Sequence, residues 1–369
     1  MTASDDPSTQ SATPTIISVD AMGGDLGPAA VVAGVALSAS GNPNIGFILH
    51  GPEETLKPLV AKRQIGNRVE IRHATGVVAM TEKPSQVMRR GQDTSMWSAI
   101  TSVREGEAAV AVSCGNTGAL MAVSMIRLRK LPGINRPAIA CLWPARNPGG
   151  FNVMLDVGAD IRAEAQDLLQ YALMGASYAR NGLGLARPRI GLLNVGTEES
   201  KGHAELKAAN ELISAGAEAA RFEYVGFVEG GDIPSDRVDV IVTDGFTGNI
   251  ALKTGEGTAS LIRDFLYEAF KATLLSRVAA LLAYPSLRRL TKRIDPRQVN
   301  GGVFLGLNGT VVKSHGSADA TGISAAIKLA AQLGQTGFNE RLAARVASAV
   351  ASGQDGPIQD NKNKNGSGK

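Results

Sequence analysis

The chain has 369 residues, enough to bury a substantial core in one large domain or two smaller ones. With 44% hydrophobic and 20% charged residues it reads as a soluble globular protein, and aromatics at only 4% argue against carbohydrate platforms and base-stacking surfaces. A net charge of +4, from 38 Lys and Arg against 34 Asp and Glu, is too balanced to imply nucleic acid, but it suits an acidic substrate or an anionic protein partner. Two cysteines, Cys114 and Cys141, give neither a disulfide framework nor a zinc cluster and fit a reducing cytosol. No run approaches the roughly 20 apolar residues of a membrane span, and the polar start carries no signal segment, so a cytoplasmic protein is expected.

Along the chain, residues 1–14 are expected as a disordered leader and 351–369 as a disordered polar tail around a single α/β domain over 15–350. Strand signals fall at Ile16–Asp20, Phe47–His50, Val69–His73, Ala108–Ser113, Ala138–Trp143, Val153–Asp156, Ile190–Asn194, Tyr224–Val228 and Val238–Thr243. The later ones are near-continuous Val/Ile/Leu runs, the pattern of strands buried on both faces of a parallel sheet. Helical periodicity marks Ala29–Ser40, opened by Pro28, then Ala163–Asn181 and His203–Gly216. The alternation predicts a doubly wound, mainly parallel α/β sheet. Residues 260–295 break it. An amphipathic stretch from Leu261 runs through Leu274, Leu275, Leu281 and Leu282 to a turn predicted at Tyr284-Pro285, followed by Arg288, Arg289, Lys292 and Arg293. It reads as a protruding helical hairpin with an apolar tip and a basic return arm.

Six strand-like runs end in Gly, Asp, Asn and Thr: Asp20–Asp25, Cys114–Gly118, Asp156–Asp160, Asn194–Gly202, Asp244–Asn249 and Leu307–Thr310. In a parallel sheet such loops converge on one crevice, where Gly admits a ligand to the backbone and helix starts favour anions. A single anion-handling cleft built from several loops is therefore expected. The chain has no phosphate-loop motif, no complete G-x-G-x-x-G after a strand, no G-x-S-x-G elbow and no H-E-x-x-H, which disfavours nucleotide kinases, serine hydrolases and zinc hydrolases. No acidic pair has a spacing that specifies a metal.

Within the loops, Asn194–His203 offers Gly196 and Thr197 backbone with Lys201 before a helix, a set suited to phosphate; a helix cap with a solvated lysine is the structural alternative. Asn116 and Thr117 in one loop, and Thr247 and Asn249 in another, offer neutral donors for an oxyanion or plain turn chemistry. Lys253 follows a helical turn beyond Asn249. His203 and His315 lie in polar loops, whereas His50 and His73 end strands and suit structural hydrogen bonds. Cys114 is more often packing than nucleophile, and Asp20, Asp25, Asp156 and Asp160 are more often turn formers than ligands.

These residues also carry a resemblance. Ile17–Pro28, Ser113–Ala119, Arg136-Pro-Ala138, Leu155–Gly158, Leu193–Gly202, Gly226–Gly230, Thr243–Lys253 and Gly306–Asp319 form an ordered series. It resembles bacterial acyl carrier protein:phosphate acyltransferases of phospholipid synthesis over about residues 16 to 345. The resemblance implies a fold like phosphotransacetylases and the isocitrate dehydrogenase class, and a homodimer. It implies transfer of an acyl group from acyl carrier protein to inorganic phosphate, with no cofactor. It also implies peripheral contact with an anionic membrane surface, where a membrane-embedded glycerol-phosphate acyltransferase uses the acyl phosphate.

Phosphate is already an anion and a thiol is a good leaving group, so this chemistry needs positioning and oxyanion stabilisation more than a strong base. On that basis Lys201, Thr197 and Gly196 are expected at phosphate with Lys253 and Arg136 as further cations, and Asn116, Thr117, Thr247 and Asn249 at the carbonyl. His203 is the candidate for proton handling, and Asp20, Gly24 and Asn194 complete the substrate-binding set. Leu281, Leu282, Arg288 and Arg289 are expected at the membrane surface, with a dimer interface and a carrier-protein dock as the other readings of the hairpin. Rival functions are a metal-dependent 2-hydroxyacid dehydrogenase and a non-catalytic sensor of the acyl carrier or of phosphate.

Overall fold

The computed structural model describes residues 14–294 and 301–344, with side chains left aside at 291–294. The expected leader, save Pro14, and the expected tail lie outside the described residues. Eleven strands form one sheet: β1 (Thr15–Asp20), β2 (Ile45–Gly51), β3 (Val69–His73), β4 (Val110–Ser113), β5 (Ala138–Pro144), β6 (Phe151–Leu155), β7 (Arg189–Leu193), β8 (Glu223–Val228), β9 (Val240–Val242), β10 (Gly302–Leu305) and β11 (Thr310–Lys313). Their order is β3-β2-β1-β4-β11-β10-β5-β6-β9-β7-β8. Helices α1 (Gly27–Gly41), α2 (Glu53–Arg63), α3 (Pro84–Arg90), α4 (Ser95–Arg104), α5 (Thr117–Arg127), α6 (Ala165–Leu183), α7 (Ala204–Gly216), α8 (Gly245–Lys271), α9 (Leu274–Ile294) and α10 (Ala320–Gln335) connect and flank them.

Period-2 alternation divides the buried residues between two faces. Val110, Val112, Val153 and Leu155 belong to one core, while Ala111 and Met154, their neighbours in sequence, belong to the other. Both faces are covered, as the continuous apolar runs predict.

The sheet is mainly parallel, but its direction reverses. β1, β2, β3, β4 and β11 run together, and β5 and β6 pair antiparallel across a hairpin. From β6 onward, β9, β7 and β8 follow the new direction. The hairpin is held by buried Asn147, whose Nδ2 donates to Phe151 O and to Asn152 Oδ1 (both 2.6 Å). Asn152 in turn donates to Ile233 O and Ser235 O (2.8 and 3.0 Å). The expectation of one crevice is therefore corrected: carboxyl ends of strands lie along two opposite rims.

The helical hairpin is corrected too. Its turn falls at Ala272-Thr273, not at Tyr284-Pro285, and Pro285 lies inside α9. Thr273 decides the position: its Oγ1 accepts from Ser276 N (3.0 Å) and its carbonyl from Arg277 N (3.1 Å), which starts a new helix there. No helix among the described residues is long and apolar enough to cross a membrane.

A buried polar trio fixes α4 to the sheet. Ser18 Oγ donates to Ala99 O (2.8 Å), so it accepts from His50 Nε2 (2.9 Å), and His50 Nδ1 is left to accept from Ser98 Oγ (2.8 Å). Burial lowers the His50 pKa to about 3 from 6.5. Since the folded state resists a proton that the unfolded chain takes up below pH 6.5, this stability is present above that pH and lost as pH falls toward 3. Its slope approaches about 1.4 kcal/mol per pH unit. Comparing denaturant unfolding of wild type and His50→Gln from pH 7 to 4 should show that component only in the wild type.

Candidate active site

The first rim gathers the carboxyl ends of β1, β4 and β11. Asp20, buried at the end of β1, accepts hydrogen bonds from Ser95 Oγ (2.6 Å) and Ser113 Oγ (2.7 Å) and from the backbone of Met22 and Gly23. Burial raises its pKa and these bonds oppose the rise. The carboxylate thus ties the 20–25 loop to α4 and β4. Gly24, at φ +98°, packs so closely that a Cβ would stand 2.9 Å from Cys114 Cβ and 3.0 Å from Gly316 O. Asp25 N donates to Gly316 O (2.8 Å), completing a clasp of three loops.

At the same rim Asn116 caps α5, its Oδ1 accepting from Ala119 N (3.0 Å), while Nδ2 donates to Met80 O and Glu82 O (2.8 and 3.0 Å). Thr117 follows, exposed, and as the first helical residues it and Gly118 have backbone N–H groups without an intrahelical acceptor. Lys313, partly buried at the end of β11, places Nζ against Ser314 O and 3.5 Å from Cys114 O. Burial lowers its pKa, the fields of Cys114, Asp25 and Asp20 oppose this, and Lys253 lowers it further. His315 pairs through Nδ1 with Ser317 Oγ (2.9 Å), and its Nε2 lies 3.9 Å from Glu256.

The second rim gathers β6, β7 and β9. Buried Asp156 accepts from the backbone of Ile139 (2.8 Å), Ala159 (2.9 Å) and Asp160 (2.6 Å). Burial raises its pKa against these bonds. Asp160 accepts from Tyr171 OH (3.0 Å) and pairs with exposed Arg136 (3.5 Å). Asp244 caps α8 and takes the Thr247 hydroxyl (2.8 Å), and Asn249 donates to Val157 O (2.9 Å). Asn194 closes its own loop through Val195 N (2.9 Å) and Lys201 O (3.3 Å). Lys201 folds over Gly196 onto Glu198 (2.9 Å), and His203 meets Glu205 (3.0 Å); all four charged or ionisable groups are exposed, as is Thr197.

α8 joins the rims. Gly248 packs on Asp156 O at the second rim, Gly255 on the Trp143 ring, and Glu256 reaches His315 at the first. The eight-residue step from Gly248 to Glu256 rises about 12 Å along the helix. Exposed Lys253 is carried to the first rim in this way.

A family model described as fatty acid synthesis protein matches residues 15–341. A phosphate acyltransferase of Cereibacter sphaeroides is 75% identical over 343 residues, covering 93% of this chain and 93% of the relative. The chain belongs to the phosphate acyltransferase family. Among solved structures, a phosphotransacetylase from Streptococcus pyogenes aligns with a TM-score of 0.58 at 18% identity, over 87% of this chain and 94% of that one. A branched-chain phosphotransacylase from Enterococcus faecalis gives 0.56 at 15%, over 87% and 99%. These two share the fold, and the protein is an acyltransferase of lipid synthesis.

The acyltransferase brings together Asp20, Gly24, Asn116, Thr117 and Lys253 of the sequence-derived set, and separates from them Arg136, Asn194, Gly196, Thr197, Lys201, His203, Thr247 and Asn249. The amides of Asn116 and Asn249, two of the expected oxyanion donors, donate to backbone carbonyls of neighbouring loops. Leu281, Leu282, Arg288 and Arg289 are exposed on α9. Lys313 is not in the expected set; its signals are its place after an apolar run in Val311-Val-Lys-Ser-His-Gly316 and within the Gly306–Asp319 segment of the resemblance. Replacing Asn116 by Ala removes a cap and two loop bonds, and should lower unfolding free energy by about 1–3 kcal/mol in a denaturant titration.

Proposed function

We propose that the chain moves a fatty acyl group from the thioester of acyl carrier protein to inorganic phosphate, giving acyl phosphate for phosphatidic acid synthesis. The observation that carries this reading is the first rim, where helix-start N–H groups and two lysines face Gly-lined backbone with no activated nucleophile beside them. Cys114 is buried and its thiol is pushed up to about 11, so it keeps its proton at neutral pH and supports no acyl-enzyme. Phosphate is then the attacking group. One of its oxygens forms the C–O bond to the carbonyl carbon, the C–S bond breaks, and the departing sulfur takes the proton that phosphate gives up. The rim's N–H donors and cations stabilise the oxyanion formed between these events. The relatives' names agree with phosphate as acceptor.

The hairpin supports a second element of the reading. Leu274, Leu275, Leu281 and Leu282 are 78, 80, 75 and 81% exposed, with Arg288 and Arg289 farther along the same helix. Apolar side chains beside arginines suit an anionic membrane surface, where an amphiphilic acyl phosphate passes to a membrane-embedded glycerol-phosphate acyltransferase. A homodimer would cover the exposed Leu261–Tyr267 stretch of α8.

The reaction is tested by incubating acyl–acyl carrier protein with phosphate and trapping acyl phosphate with hydroxylamine. Hydroxamate should require both enzyme and phosphate, and should persist with Cys114→Ala. Binding of the acyl donor without hydroxamate would point to a sensor instead. For the membrane, wild type should float with anionic liposomes and a Leu281→Ser/Leu282→Ser variant should float less; wild type remaining in the dense fraction would rule the contact out.

A further inference from the structure

Lys313 is an unusual cation. It is partly buried, its ammonium is held by two backbone carbonyls, and no carboxylate among the described residues lies within ion-pairing distance of it. Asp20, the nearest buried acid, is committed to Ser95 and Ser113. A second lysine, Lys253, lies three residues before Glu256 on the same face of α8, and Glu256 reaches His315, two residues beyond Lys313 (3.9 Å). Burial and Lys253 disfavour the charge on Lys313, Asp25 and Asp20 favour it without reaching ion-pairing distance, and an anion between the two lysines would add a direct partner. The fold fixes the backbone at both positions: Lys313 ends a strand paired with β4 and β10, and Lys253 rides on a helix packed against Trp143 and Asp156.

We propose that Lys313 and Lys253 form a clamp for the phosphate group, which receives inorganic phosphate as the second substrate and holds the phosphoryl end of the acyl phosphate product. The inference rests on the acyl-transfer reading above and deepens it by assigning phosphate to the first rim, away from Lys201. Lys313 supplies a fixed charge from the floor of the rim. Lys253, exposed and without an ion-pair partner among the described residues, closes on the anion from α8. The N–H groups of Thr117 and Gly118 lie on the same rim and add donors.

Calorimetric titration of the full-length protein with inorganic phosphate reads the clamp without turnover. Lys253→Ala should weaken phosphate binding about tenfold and raise the phosphate KM to match, leaving the KM for the acyl donor near wild type, and Lys253→Arg should restore most of the affinity. Lys313→Gln should weaken phosphate similarly; if it does not fold, the Lys253 pair decides. Wild-type phosphate affinity in Lys253→Ala, or a loss seen with Lys201→Ala and not with Lys253→Ala, overturns the clamp. Failure of the wild type to form hydroxamate would instead strike the acyl-transfer reading, whatever the titration gave.

Discussion

The short hairpin between β5 and β6 is the constraint on which the rest of the molecule depends. Two buried asparagines, Asn147 and Asn152, satisfy its backbone and fasten it to the 233–235 segment. Because β6 returns antiparallel to β5, every strand added beyond it points the other way. Loops that resemble one another in sequence are thereby sent to opposite rims. The same reversal obliges α8 to start at the second rim and run across a sheet face to the first.

Each rim is organised around one buried carboxylate. Asp20 collects two hydroxyls and two backbone N–H groups; Asp156 collects backbone N–H groups from β5 and from its own loop. Neither has a cation within ion-pairing distance among the described residues, so neutral donors supply the hydrogen bonds that offset the burial of the charge. The result is fixed loop geometry, with Lys313 and Lys253 left over for anions at the first rim and Lys201 paired with Glu198 at the second. That division suits chemistry in which the enzyme positions an already nucleophilic anion and does not need to create one.

Much of the fold is legible because buried strands advertise themselves as Val/Ile/Leu runs: Val69–His73 matches to the residue and the other eight expected strands to within two at either end, while β10 and β11 are not among the expected strands. Strand direction was less legible, although a signal existed. Only nine residues separate the predicted strands Ala138–Trp143 and Val153–Asp156, and they include Asn-Pro-Gly-Gly, too short for the crossover that a parallel pair requires. The Pro285 turn failed because a capping hydroxyl at Thr273 acts earlier in the chain than the proline can. At the site, residue type cannot tell an amide facing a cleft from one facing a neighbouring loop, so the loop bonds of Asn116 and Asn249 had no sequence signal. Lys313 was passed over for the converse reason: a lysine ending a strand reads as a surface residue until the packing around it is known.

α8 has 27 residues and is about 40 Å long, and no proline interrupts it. Its unbroken backbone ladder links the two ends, with Gly255 and Gly257 as the softest point. One end is anchored on Asp156, the other joins α9 among exposed apolar side chains, and Lys253 lies between them. If the proposed docking and the proposed clamp both hold, whatever seats the far end also bears on the angle at which Lys253 meets Lys313, and docking and substrate grip would share a single mechanical part.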